Sequence, residues 1–509
     1  MLARVNTIAL EGVRARAVEV EVDLASGLPT LSIVGMPETA VREAKDRVRA
    51  ALANSGFQVP AKRVTINLAP ADLPKVGSGY DLPMALGLLA AMDVIPMPAL
   101  SGRIIVGELA LDGRVKPANG CLPAALLARE LGCEEVIIPA SNAPESALAE
   151  GVRAIGAQTL MEVVAHLRGD DTLTPHPPID LDLDPTQQEG VVDLIEVKGQ
   201  ESAKRALEIC AAGGHNLIMT GPPGSGKTLL ARCLPGILPA LSIEESLDVT
   251  AVYSVAGRLT RERPLVRARP FRSPHHTASQ VALVGGGGVP KPGEVSLAHR
   301  GVLFLDEIPE FNRNALEVLR EPLESGDVTV SRAARSVRFP ARFQLVAACN
   351  PCPCGYLGDG QKACVCSAPQ VERYRSKLSG PLLDRIDLHV QAPAVPFETL
   401  AGLPSGEPSA TVRARVTAAR VRQQARQGGA ILNAHLSGSQ LDASVALDGA
   451  GRDLLALASR KLGFSARGFH RILRVARTVA DLDGADNVSV GHLSEAIQLR
   501  QGFVQDAPA

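Results

Sequence analysis

The sequence predicts an α/β protein of several domains, and three observations predict it. The chain has 509 residues, more than one hydrophobic core holds, since domains usually carry roughly 100 to 200 residues. Strand-like and helix-like runs alternate along most of it. A glycine-rich loop stands between an apolar strand and a helix, as at the carboxyl edge of a parallel sheet.

Composition agrees with globular cores: 46% of residues are hydrophobic and 21% charged, far from the balance of disordered or fibrous chains. A net charge of -1 gives no global attraction to polyphosphate, so any nucleic-acid contact must come from a local basic surface. With no Trp, 4 Tyr and 10 Phe, platforms for stacking unpaired bases are few, which favours backbone or duplex contacts. Residues 1–10 move directly into strand-like alternation, so no signal peptide is expected. No stretch reaches the roughly 18 apolar residues of a membrane span. The expectation is a soluble, cytoplasmic chain with no membrane partner.

Residues 1–168 carry strand-like runs at 17–22, 63–68 and 103–106 and helix-like ones at 39–53 and 82–92, a complete α/β domain. Residues 169–190 are rich in proline and then in acidic residues and read as a linker. Residues 191–396 return to strands and helices. After a Pro/Ser/Gly stretch at 402–408, residues 397–509 close the chain as an all-helical domain.

The second domain-sized block, 191–396, holds the chemistry. Gly221-Pro222-Pro223-Gly224-Ser225-Gly226-Lys227-Thr228 is a complete phosphate loop with its strand before it and its helix after it. Glycines let amides turn inward around phosphates, Lys227 reaches the β and γ oxygens of ATP, and the Thr228 hydroxyl ligates Mg²⁺. Downstream, the strand Gly301-Val-Leu-Phe-Leu-Asp306-Glu307 ends in two carboxylates. Asp306 suits the Mg²⁺ shell, and Glu307 suits the base that activates water.

Together these motifs resemble the AAA+ superfamily over residues 191–500, and the resemblance implies further roles. Asn350, ending the apolar strand Leu345-Val-Ala-Ala-Cys-Asn350, is similar to the sensor 1 residue that orients the lytic water. Arg385, in Gly380-Pro-Leu-Leu-Asp-Arg385-Ile-Asp-Leu388, is similar to the arginine finger. A finger acts across a subunit interface, which implies a homo-oligomeric ring, usually a hexamer. Arg467, at the start of a basic helix, is similar to sensor 2, with Arg471 as the alternative.

Three further segments narrow the resemblance: Arg269-Pro-Phe-Arg-Ser-Pro-His-His-Thr277, Gly293-Glu-Val-Ser-Leu-Ala-His-Arg-Gly301 and Cys349-Asn-Pro-Cys-Pro-Cys-Gly-Tyr356. They are similar to the magnesium chelatase subunit I-like proteins of the ComM/YifB group. That group implies a Lon-protease-like (ribosomal S5 domain 2-like) domain, an AAA+ P-loop core and a helical lid. Alignment on the Lon active-site stretches puts Gly79 where the nucleophilic Ser stands and Leu122 where the Lys stands, so the dyad is absent; Ser78 and Lys116 are out of register. The domain is left with a scaffolding, oligomerising or DNA-guiding role. The resemblance implies a helicase that migrates DNA branches in natural transformation, with a protein-remodelling or chelatase-type ATPase acting on a partner protein as the alternative.

Residues 326–340 read as a hairpin around a basic turn, with Arg332, Arg335 and Arg338. In this clade such a hairpin faces the ring channel, where arginines grip DNA phosphates without regard to sequence; an ordinary solvated hairpin is the alternative. Arg413, Arg415, Arg420, Arg422 and Arg426 lie on a helix with an apolar stripe at Val412, Val416 and Ala419, read as an exposed lid helix. Five of nine cysteines lie between Cys349 and Cys366. Cys352, Cys354, Cys364 and Cys366 supply enough thiolates for tetrahedral Zn²⁺, Cys349 could replace one of them, and a redox-sensitive cluster is the other reading. His275 and His276 are expected to shape a loop near the nucleotide or the channel. Cys121, Cys133, Cys210 and Cys233 stand among apolar residues, as core thiols do.

Overall fold

The computed structural model describes residues 2–179, 191–288, 290–332, 335–402 and 406–501. Its N-terminal part begins with a β-ribbon. Strands Leu2–Glu11 and Arg14–Ala25 pair antiparallel around a two-residue turn, and Arg63–Ala69 and Thr30–Val34 complete a four-stranded sheet. The cause is period-two patterning: Val18, Val20 and Val22 are buried while Glu19 and Glu21 point the other way. The helix Asp81–Ala91 is buried along its whole length. It lies so close to the sheet that a Cβ on Gly87 would stand 2.7 Å from a Val22 methyl. Residues 39–53, expected as one helix, form two pieces, Thr39–Arg42 and Ala44–Asn54. Arg103–Ile105, Glu135–Pro139 and Arg153–Ala157 build a smaller parallel sheet.

Half of the expected linker, residues 180–190, lies outside the described residues. Its beginning folds back on the N-terminal part, where the His176 amide donates to the Ala154 carbonyl at 2.8 Å.

The central sheet has five parallel strands in the order Phe271–Arg272, Val302–Leu305, Gln344–Cys349, Leu217–Thr220, Leu388–Gln391. Val302–Leu305 is buried at every position and Gln344–Cys349 at all but the first, because a parallel sheet is covered on both faces and its strands read as unbroken apolar runs. The C-terminal helices, among them Ser409–Gln427, Ala466–Leu482 and Val490–Gln501, do not form a core of their own. Val412, Val416, Ile472, Val479 and Leu493 share one cluster with Leu207, Leu217 and Val346 of the sheet and its helices. Each such side chain stabilises the shared core by about 1.5–3 kcal/mol.

The basic helix differs from its expected exposed character. Its apolar stripe is buried, and three of its arginines also face protein. Arg415 bonds Glu208 and Glu407, Arg420 donates to the Ala211 carbonyl, and Arg426 pairs with Asp481. Long side chains let guanidinium groups reach carbonyls and carboxylates that a period count assigns to solvent.

Strands Asp327–Arg332 and Arg335–Pro340 form the expected antiparallel hairpin. Val328, Val330, Val337 and Phe339 are buried on one face, and Leu10 and Val13 of the N-terminal ribbon pack against that same cluster. Between them Gly12 has φ +66°, and a Cβ there would lie 2.3 Å from the Arg338 carbonyl oxygen. Only glycine allows both that backbone and that approach.

Candidate active site

The strand Leu217–Thr220 ends between Gln344–Cys349 and Leu388–Gln391, and the loop 221–226 springs from its tip. The Gly221 amide donates to the Cys349 carbonyl at 3.2 Å, and a Cβ on Gly221 would meet the Ala392 oxygen at 2.0 Å. Gly224 and Gly226 have φ of 79° and 88°, a region that a side chain disfavours. Gly226 caps the helix Lys227–Ile237, so unpaired helical amides face the loop, which is the physical basis of an anion site.

Lys227 is buried and donates to the Gly221 and Pro222 carbonyls, each at 2.8 Å, and reaches Ser225 Oγ and Asn350 Oδ1 at 3.4 Å. Desolvation holds its ammonium below the usual lysine range. Thr228 Oγ1 donates to Asp306 Oδ2 at 2.7 Å. A hydroxyl and a carboxylate in contact beside an anion-binding loop are the hard oxygen donors that suit Mg²⁺ with a bound phosphate, so the residues fit ATP with Mg²⁺. Glu307 follows in a left-handed backbone, φ 49°, with its amide bonded to Asp306 Oδ1 at 3.0 Å. Its carboxylate is half-exposed. The loop 221–228, Asp306, Glu307 and Asn350 therefore come together in one place.

His276 joins them: its Nδ1 stands 4.0 Å from Glu307 Oε2, and its ring lies 4.1 Å from that of His275. No sequence signal pairs His276 with Glu307: the strand Phe271–Arg272 lies beside Val302–Leu305, and that adjacency carries the next loop to the end of the carboxylate strand.

Arg385 and Arg467 lie elsewhere. Arg385 donates to the Pro381 carbonyl at 2.8 Å and to the Glu324 carboxylate. The bond from Arg385 depresses the Glu324 carboxyl, and the charges of Arg467 and Arg471 add to it. Arg467 is exposed on the first turn of Ala466–Leu482, so Arg385 and Arg467 share a neighbourhood around Glu324. Arg471 is committed to Asp387, which also accepts the Asn216 amide at 3.0 Å and lies 3.6 Å from His215 Nδ1. Burial pushes the Asp387 carboxyl up, but Arg471, His215 and that amide outweigh it and hold it well below the usual carboxylate range.

On the hairpin, Arg338 is exposed and bonded to Asp327 across the ladder. The backbones of Arg332 and Arg335 pair with each other, and their side chains lie outside the described residues. Cys352, Cys354, Cys364 and Cys366 converge, with all four Sγ atoms within 4.8 Å of one another. Cys352 lies 3.4 Å from Cys354 and 3.6 Å from Cys364, well beyond a disulfide bond. Sulfurs around Zn²⁺ at about 2.3 Å stand ~3.8 Å apart in a tetrahedron, so the spacing fits that ion. Amides of Tyr356 and Val365 donate to Cys354 and hold its thiol below the usual range, while desolvation and the neighbouring sulfurs hold Cys364 and Cys366 above it. Cys349 stands outside this cluster. Its Sγ lies 3.3 Å from Thr220 Oγ1, and burial pushes its thiol up to about 11.

In the N-terminal part, Ser78 bonds Glu108, and Leu122 is buried against Leu148 and Ala251. Lys116 is exposed, opposite Glu108 in a two-stranded ladder.

Comparison with known proteins covers nearly the whole chain. The family described as magnesium chelatase, subunit ChlI, matches residues 193–400, its subunit ChlI companion matches 20–142, and the subunit ChlI C-terminal family matches 406–500. An uncharacterized protein YifB of Salmonella typhimurium is 47% identical over 502 residues, covering 98% of this chain and 97% of the relative. The competence protein ComM of Haemophilus influenzae is 45% identical over 506 residues, with coverage of 98% and 97%. A magnesium-chelatase 38 kDa subunit of Cereibacter sphaeroides is 28% identical over 171 residues, 30% of this chain and 51% of that protein.

Proposed function

The chain belongs to the ComM/YifB family of magnesium chelatase subunit I-like AAA+ proteins, and on that premise we propose that it is a cytoplasmic, hexameric ATPase that drives branch migration of DNA and promotes integration of incoming strands in natural transformation. In this reading residues 1–168 are a Lon-protease-like domain without its dyad, 169–190 a linker, 191–396 the AAA+ core and 397–509 the helical lid. The observation that carries hydrolysis is the convergence of Lys227, Thr228, Asp306, Glu307 and Asn350 on the phosphate loop.

The chain's own groups divide the work. Loop amides and Lys227 bind the β and γ phosphates, while Thr228 and Asp306 hold Mg²⁺, which when bound neutralises charge on the transferred phosphoryl group. Glu307 takes the proton of the attacking water, and Asn350 orients that water. Arg385 of one subunit faces the γ-phosphate of the next and lends positive charge, and Arg467, beside it around Glu324, acts at the same interface. Cys352, Cys354, Cys364 and Cys366 would hold Zn²⁺ as a structural ion.

DNA as the substrate rests on the competence relative and on the arginine hairpin. The second reading, a remodeller of a partner protein, rests on the chelatase-subunit families. One experiment separates them: ATP turnover with a four-way DNA junction, single strands, duplex or an unfolded protein, and migration of a synthetic junction. Junction DNA is expected to stimulate turnover and to be migrated. Changing Arg332, Arg335 and Arg338 to Ala abolishes migration, spares basal turnover and makes the salt dependence of binding shallower, by about 0.9 in log–log slope for each lost phosphate contact. Stimulation by protein alone, with no junction moved, would replace the helicase reading with the second one.

A further inference from the structure

The four thiols lie next to the nucleotide loop, and the chain between them has little else to hold it. Residues 355–365 are turns and coil, without a helix or strand. In that stretch the ordering contact of note is Lys362 over the Tyr356 ring, 4.3 Å from its centroid. Yet one end of this segment touches the phosphate loop. Gly355 has φ +85°, and a Cβ there would lie 2.5 Å from Pro223 Cδ. Both arms of the cluster also lead to Asn350. On one side Cys352 is two residues beyond it. On the other, Ser367 directly follows Cys366 and caps the helix Ala368–Arg375, whose buried Tyr374 bonds the Asn350 backbone. Asn350 in turn reaches Lys227 at 3.4 Å.

We propose that Zn²⁺ held by Cys352, Cys354, Cys364 and Cys366 is the brace of the nucleotide pocket: it clamps the 352–366 segment onto Pro223 and fixes Asn350 against Lys227, so that metal occupancy sets nucleotide affinity. The chemistry is specific to a borderline-soft ion that takes four thiolates in a tetrahedron. The loop is braced at its two ends by a metal because its apolar side chains build no core of their own: Val365 is exposed and Leu357 only half-buried. The inference rests on residues 221–228 being the nucleotide site.

The test uses full-length protein without a histidine tag, purified under reducing conditions. Elemental analysis is expected to find one zinc per chain, and exchange with Co²⁺ to give the intense visible bands of tetrahedral thiolate coordination. The paired variant Cys364→Ser/Cys366→Ser loses the metal and binds a fluorescent ATP analogue at least about tenfold more weakly, the scale of one hydrogen bond to a charged group. Gly355→Val keeps the zinc and weakens nucleotide to a similar degree by pushing the segment off Pro223; this variant tests the brace even if the cysteine pair fails to fold. Wild-type protein with no zinc and no thiolate–cobalt spectrum overturns the metal site. Unchanged nucleotide affinity in the zinc-free variant, or in Gly355→Val, overturns the brace. Lys227→Ala is the control: full zinc with no nucleotide binding is the expected result, and full zinc with undiminished nucleotide binding marks failure of the nucleotide-site reading and leaves the metal site standing.

Discussion

In the proposed function Lys227 and Glu307 divide binding from chemistry. Lys227 is desolvated and aimed into a ring of carbonyls and amides, so replacing it removes the charge that draws phosphate in. Glu307 is half-exposed and outside that ring. Lys227→Ala is therefore expected to abolish ATP binding, whereas Glu307→Gln keeps binding and stops hydrolysis, as calorimetric titration and single-turnover assays would separate. Equal affinity in wild type and Lys227→Ala would sink the assignment of the loop. These residues were legible because the loop is contiguous and local glycine chemistry dictates its shape. His276 was not legible, because its approach to Glu307 depends on which strand neighbours which. Arg467 is preferred over Arg471 from its place at the helix start; that Arg471 is held by a buried carboxylate, Asp387, from a distant part of the sequence was not legible.

That carboxylate matters at the level of whole elements. Arg471 joins the helix Ala466–Leu482 to Asp387, just after Arg385, and Arg500 of the last helix donates to the Ile386 carbonyl at 2.9 Å. Arg471→Ala leaves a buried Asp387 charge short of its main partner, a loss of about 3–5 kcal/mol for such pairs, readable as a lower denaturant midpoint of the ATPase transition. Because the folded Asp387 carboxyl is depressed, its contribution is fully present above the ordinary carboxylate range, declines as pH falls below that range and is gone once pH has passed the depressed folded value. In wild type the midpoint falls on acidification, and Arg471→Ala flattens that dependence. A variant with unchanged midpoint and unchanged pH slope would refute the anchoring role. The hairpin and the apolar strands were readable from period-two and unbroken apolar patterns. The inward-facing arginines of Ser409–Gln427 were not, since period assigns a face to a residue but not the reach of a guanidinium.

At the scale of the molecule, the proposed ring has a direct test. Arg385 is spent within its own chain on Glu324 and Pro381, and its proposed work lies across an interface. Arg385→Ala is expected to leave nucleotide binding intact and to cut turnover by about three orders of magnitude or more. Mixing it with Lys227→Ala protein restores part of the activity, because the second protein supplies the missing guanidinium to competent sites. No recovery in demonstrably mixed rings would exclude a finger acting in trans. The strand-and-helix block 191–396 and the helical block 397–509 differ in composition, but composition is blind to the core they share, which joins Val412 and Ile472 to Leu217 and Val346 of the sheet. The turn at Gly12 has a mechanical meaning. On the proposal that a polymer is gripped at the hairpin, its pull on strand Arg335–Pro340 would pass through the contacts of Leu10, Gly12 and Val13 into the four-stranded N-terminal sheet, so the stiffness of the grip would depend on the ribbon turn as well as on the hairpin.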